Sequence, residues 1–120
     1  YWDMDQNKLA SDSPYYAQRD LHDASTASVV ASALLELSLY TKGKEKMIYI
    51  AKAEKMLQSL SEAPYKAAYG SNGGYILKHS VGSIPHKTEV DVPLTYADYY
   101  YVEALVRYGR MLRGENVIKQ

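Results

Sequence analysis

Between Ala24 and Tyr40 the chain leaves a helix almost no wet face. Eleven of these 17 residues are Ala, Val, Leu or Tyr, and only Glu36 is charged. Small residues at 24, 25, 27, 28, 31, 32 and 33 let neighbouring backbones approach closely. An apolar surface on nearly every side predicts a helix enclosed by neighbours rather than one lying on a surface. Asp23 or Ser25 suits its start, because a short side-chain oxygen accepts a bond from an unpaired first-turn amide. A chain of 120 residues buries roughly two-thirds of its unfolded surface, which allows one core and argues against two.

The remaining elements are arranged around that run. After the short link Thr41–Lys44, residues 45–60 place Met47, Ile50, Leu57 and Leu60 on one side and most charges elsewhere, which predicts an outer helix with one wet face. A third helix is expected over 95–113. Thr95 and Asp98 fit a capping box there, and Glu103, Arg107 and Arg110 form a polar stripe in which Glu103 and Arg107 pair at i,i+4. Residues 1–23 read as an ordered loop. Residues 61–94 read as a long one, with a helical turn over 61–69, a brief strand candidate at Tyr75–Leu77, and Gly82, Pro85 and Pro93 keeping the rest irregular. A connection that long is usually functional. If the first helix runs up, the short link sends the second down and the third up again. Both long loops then share the face holding the N-termini of the two enclosed helices, where free amides favour an anion. This inner, outer, inner order is the pattern of an all-α helical-hairpin toroid, and two inner helices cannot close such a ring.

Composition narrows the function classes. Fourteen basic and fourteen acidic side chains cancel, leaving no electrostatic footprint for nucleic acid or an anionic membrane. The absence of cysteine removes disulfides, thiolate nucleophiles and Cys-ligated metals. The longest apolar run falls short of the ~20 residues of a membrane span, and no signal peptide is evident. His22, His79 and His86 lack metal-ligand spacing, and Ser25, Ser28 and Ser32 lack a matched His and Asp. Thirteen tyrosines with no phenylalanine suit a wet surface that stacks on or hydrogen-bonds to a ligand. The helix directions put Tyr1, Tyr75 and Tyr96 on the loop face, and Tyr40, Tyr49 and Tyr108 in packing. The chain opens on Tyr1-Trp2 rather than Met, which reads as a piece of something longer.

Several separated blocks agree on one family. Tyr1-Trp2-Asp3-Met4-Asp5, Arg19-Asp20, Asp23-Ala24-Ser25-Thr26-Ala27 leading into Ala31–Leu37, His79-Ser80-Val81-Gly82, and Pro93–Tyr100 with Glu103-Ala104-Leu105 resemble the C-terminal third of glycoside hydrolase family 88, the unsaturated glucuronyl hydrolases. The resemblance implies an (α/α)6 barrel, with residues 1–120 as the C-terminal segment of one catalytic domain and no internal boundary. It implies hydration of the C4=C5 double bond of a terminal unsaturated uronic acid on oligosaccharides left by polysaccharide lyases. An aspartic acid protonates C4, water adds at C5, and the resulting hemiketal opens to release the sugar, without metal or organic cofactor. The aspartates assigned to that work lie ahead of this segment in the family. No catalytic role is therefore carried to Asp3, Asp20 or Asp98, and the fragment is expected to be inactive alone.

What the segment would contribute is substrate wall: Trp2 and Asp3 beside the sugar, and His79, Ser80, Gly82 and Tyr96 toward the leaving group. Each has a plainer alternative. Trp2 either stacks on a ring or packs as core, and of Asp3 and Asp5 one faces the cavity and the other solvent. Arg19-Asp20 either grips a uronate or forms a local ion pair that orders the loop. Asp23 and Asp98 serve as caps, and Tyr99, Tyr100 and Tyr101, being consecutive on a helix, cannot all face one way. The expected partners are an unsaturated uronic-acid oligosaccharide and either the missing N-terminal part of the barrel or a second copy, with no nucleic acid and no membrane. A free-standing helical glycan- or protein-binding module is the alternative. Periplasm and cytoplasm of a polysaccharide-degrading bacterium both remain open.

Overall fold

The computed structural model describes residues 1–3 and 8–118, so Met4 and Asp5 of the opening block lie outside the described residues. Three long helices carry the fold: α1 (Ala24–Leu37), α2 (Gly43–Leu60) and α3 (Thr95–Leu112). Between α2 and α3 an antiparallel hairpin pairs β1 (Ser80–Ser83) with β2 (Thr88–Val92). Short 3₁₀ turns occupy Tyr16–Gln18 and Asn72–Gly74.

The helix directions follow from which residues meet. Ser25 reaches Tyr96, Ser32 reaches Glu103 and Glu36 reaches Arg107, each pair 71 residues apart, so α1 and α3 run parallel in one register. Ser61 meets Tyr101 while Glu54 meets Tyr108, so positions advance on α3 as they recede on α2, and those two run antiparallel. The up, down, up order expected from loop lengths is therefore observed, and the N-termini of α1 and α3 share one end. α1 packs along both α2 and α3, which touch each other little. Small side chains permit this: Ala24, Ser28, Ala31 and Ser32 are buried on α1, and Ala97 and Ala104 on α3, with Leu35, Leu57, Leu60, Leu77 and Tyr101 filling the space between.

A polar cluster locks the register halfway along. The Arg107 guanidinium donates to the Ser32 carbonyl and hydroxyl, both at 3.0 Å, and lies 2.8 Å from Glu36 and 3.6 Å from Glu103. The Ser32 hydroxyl in turn donates to Glu103. The i,i+4 partner expected from sequence is thus the longer contact, and the cross-helix Glu36 is the shorter one.

Several expectations need correction. The chain is mostly helical but not all-α, because residues 80–92 form the hairpin rather than a loop. Ile84-Pro85-His86-Lys87 makes its turn, with Lys87 N donating to Ile84 O at 3.0 Å and Pro85 at the position where a fixed φ is favourable. The surrounding Val81, Thr88, Val90 and Val92 are β-branched residues that favour a strand. Tyr75–Leu77 is not a strand, although Leu77 forms an isolated antiparallel bridge with Lys66; residues 61–69 do hold a turn, with Lys66 N donating to Glu62 O at 2.9 Å. Helix α3 starts with Leu94 at its cap and no side-chain cap bond, so the Thr95/Asp98 box does not form. Of the expected α2 stripe Leu57 and Leu60 are buried, joined by Ala53, whereas Met47 is 63% exposed. Tyr40 is exposed rather than packed.

The enclosure expected for the two apolar helices is incomplete. On α1, Val29 and Leu37 face outward, and on α3 so do Tyr99, Val102, Leu105, Val106 and Leu112. Three helices do not close a ring, and the barrel itself is not seen in this chain.

Removing the central cation tests the register. Arg107→Ala should lower stability by about 2 kcal/mol, since it strips charge-assisted bonds from half-buried acceptors. Urea unfolding should further give a coupling of about 1 kcal/mol in a double-mutant cycle with Glu36→Gln.

Candidate functional site

The shared N-terminal end of α1 and α3 gathers most of the singled-out residues. Asp23 caps α1 as expected, its Oδ1 accepting from Ser25 N at 3.0 Å and Ser25 Oγ at 2.6 Å and its Oδ2 from Thr26 Oγ1 at 2.5 Å. The same Oδ1 accepts from Val81 N at 3.1 Å, and Ala24 N donates to His79 O at 2.9 Å, so β1 is bound directly to the helix start. This overturns the idea of open amides at the start of α1, where the Ala24 and Ser25 amides are satisfied within the chain, while α3 starts without a side-chain cap. Asp98 also looks outward, its two oxygens accepting from Ile76 N at 2.8 Å and Leu77 N at 2.9 Å.

His79 stands at the centre of this end. Its backbone has φ +62°, and its Nδ1 lies 2.7 Å from Asp91 Oδ1. The strand register explains Asp91: Ser80 pairs with Val92 and Val81 with Val90, leaving Asp91 as the extra residue of a bulge that turns it toward His79. The Tyr65 ring meets His79 edge-on, with centroids 6.4 Å apart, and its hydroxyl lies 2.6 Å from His22 Nδ1. Tyr1 closes the row against His22 at 4.8 Å. Burial, with a smaller contribution from Tyr1, pushes the Tyr65 phenol above its ordinary value, so it stays a protonated hydrogen-bonding group at neutral pH. His22, Tyr65, His79 and Asp91, with Asp20, Leu21 and Pro64, line a cavity of about 250 Å³. A second groove of about 390 Å³ shares His22 and Tyr65, adds Tyr1 and extends past Lys52 and Lys55. Aromatic edges thus lie beside imidazole, carboxylate and lysine groups in these two cavities.

The sequence-based site residues fall unevenly around this cluster. Trp2 is half-buried, donating its indole N–H to Gln18 O at 2.7 Å and its backbone N–H to Leu21 O, with its ring edge against Tyr15. Asp3 follows it, half-buried, in the same loop. Tyr96 is 42% exposed, its hydroxyl 3.4 Å from Ser25 Oγ. Ser80 is fully buried, with its side chain facing the interior rather than either cavity. Gly82 is exposed on β1, and the Glu89 side chain lies across it. Arg19 and Asp20 form the local ion pair, at 3.5 Å, with the guanidinium stacked on Tyr16. Among the described residues no group of three or more His, Asp or Glu is placed to hold a metal ion.

Sequence reading missed His22, Tyr65 and Asp91. His22 has no metal-ligand spacing to mark it, Tyr65 falls within the turn region 61–69, and Asp91 acquires its direction only from a bulge that no local pattern announces.

No protein-family model matches the chain. An unsaturated glucuronyl hydrolase of Formosa agariphila is 40% identical over 112 residues, which are 93% of this chain and 25% of that protein. The crystal structure of an unsaturated glucuronyl hydrolase specific for heparin superposes with a TM-score of 0.75 at 44% identity, over 90% of this chain and 28% of that one. The unsaturated glucuronyl hydrolase of Bacillus sp. GL1, responsible for glycosaminoglycan degradation, gives a TM-score of 0.71 at 21% identity, over 85% and 26% of the two chains, which is a likeness of fold alone. The resemblance read from the sequence blocks thus holds along nearly the whole chain. The chain spans about a quarter of the length of the relatives it matches.

The contact at Gly82 gives a direct test of the hairpin. A Cβ there would run into Glu89 Oε2 and stand 2.8 Å from Glu89 Cβ. Gly82→Ala should destabilise by about 1 to 3 kcal/mol through overpacking. Adding Glu89→Gly should recover most of it, because glycine removes the clash and tolerates the φ of +55° at that position. Thermal unfolding of both variants checks this.

Proposed function

We propose that this chain is the C-terminal segment of the (α/α)6 catalytic domain of an unsaturated glucuronyl hydrolase, supplying part of the substrate wall and none of the proton-transferring carboxylates. The observation that carries the reading is identity of 40% or more to two such enzymes along nearly the entire chain. The reaction is hydration of the C4=C5 double bond of a terminal unsaturated uronic acid, and the partner is an oligosaccharide produced by a polysaccharide lyase.

The state of the carboxylates supports the division of labour. A general acid must present a free carboxyl to C4 and then assist water at C5. Asp23 and Asp98 already spend both oxygens on backbone and hydroxyl donors, and Asp20 pairs with Arg19. Asp91 is engaged by His79. What this end offers a sugar is positioning: the Tyr1, His22, Tyr65 and His79 row, with Trp2, Asp3 and Tyr96 nearby. The outward apolar residues of α1 and α3 favour this segment reading over a free-standing binding module, whose surface would be largely polar.

Incubation with an unsaturated uronyl disaccharide, followed by ultraviolet absorbance of the conjugated double bond, tests the proposal. The chain alone should leave the absorbance unchanged and should bind an apolar dye and self-associate in light scattering. Sustained turnover by the chain alone, or a monomer that binds no dye, would contradict it.

A further inference from the structure

Residues 76–79 have no helix or strand of their own, yet their backbone is held from several sides. Asp98, in the first turn of α3, takes the Ile76 and Leu77 amides on its two oxygens at 2.8 and 2.9 Å. Asn72 Nδ2 donates to Leu77 O at 3.0 Å, and Ala24 N donates to His79 O at 2.9 Å. Just beyond, Val81 N reaches Asp23 at 3.1 Å. The starts of the two parallel helices therefore grip one stretch of backbone between them.

That grip falls where the chain needs it. His79 occupies φ +62°, a region a residue with a β-carbon keeps only when its surroundings impose it. From that conformation its ring reaches Asp91 and the edge of Tyr65. Asp98 forgoes capping its own helix, which starts without a side-chain cap, and spends both oxygens on a segment more than 20 residues away. Two converging N–H donors call for two acceptors on one short side chain. Aspartate supplies them, whereas asparagine would turn its NH₂ against one of the two amides.

We infer that Asp98 is a positioning residue: by fixing Ile76 and Leu77 to the start of α3, it sets where His79 and the head of β1 stand at the shared helix end. That this end is a saccharide wall rests on the function proposed above, but the positioning itself does not.

Amide hydrogen exchange and proton NMR on the 120-residue chain test it. Exchange at Ile76 and Leu77 is read relative to Leu35, in the core of α1, so that general loosening cancels. Asp98→Asn should raise that ratio at least tenfold and abolish the Overhauser contact between the His79 and Tyr65 rings, while helical circular dichroism stays near that of the parent. A role confined to helix stability would loosen α3 without moving the His79 ring. Where Asp98→Asn does not fold, Asp98→Ser, which keeps one acceptor and suits a helix start, is read in the same way. An unchanged ratio, or an intact ring contact in a folded variant, overturns the inference. The exchange result judges Asp98 whether or not the chain acts on a saccharide, and the absorbance assay judges the function separately.

Discussion

The parallel register of α1 on α3 is the constraint on which the other features depend. Ser25 with Tyr96, Ser32 with Glu103 and Glu36 with Arg107 repeat one offset along the pair. Small residues on the facing sides let the helices approach closely enough for those polar pairs to meet, and the pairs fix which turns face each other. Because the register is parallel, both N-termini fall at one end, and antiparallel α2 brings the chain back there, so residues 61–94 connect two helix termini of that same end. A slip of one turn would separate Asp23 from Val81 and Asp98 from Leu77, dissolving the grip on the loop. The local geometry at His79 is thus a consequence of helix packing some distance below it.

Much of this was legible in the sequence, for identifiable reasons. The three helices announce themselves through composition and periodicity, and the short Thr41–Lys44 link dictates reversal, so the directions follow without any knowledge of contacts. Asp23 reads correctly as a cap because capping is a local interaction. Asp98 does not, because its partners lie more than 20 residues back and no local rule ranks a distant amide above a nearby one. The hairpin was hidden for a related reason. Gly82 and Pro85 look like loop residues, yet Pro85 serves the turn and Gly82 makes room for Glu89. Spacing puts Met47, and helix direction Tyr40, in packing, yet both are exposed because no described element covers that stretch.

The shared helix end combines two kinds of order. Helix termini provide rigid anchor points, while the bulge at Asp91 and the positive φ at His79 are irregularities that place side chains in directions a regular strand would not allow. The outcome is a row of aromatic and imidazole groups, Tyr1, His22, Tyr65 and His79, flanked by carboxylates already committed to structural bonds. Under the function proposed above, such an end holds a saccharide while carboxylates outside this segment move the protons. The outward apolar residues of α1 and α3 tell a consistent story from the opposite side: each helix presents a second face that this chain does not bury.

A chimera tests the central claim most directly. Replacing the matching quarter of the Formosa agariphila unsaturated glucuronyl hydrolase with residues 1–120 of this chain joins the proposed wall to an intact remainder. The account predicts a folded protein that hydrolyses the unsaturated saccharide used by its parent, with the apolar faces of α1 and α3 no longer accessible to an apolar dye. A folded chimera that leaves those faces accessible, or that neither binds nor hydrolyses the saccharide, would contradict it.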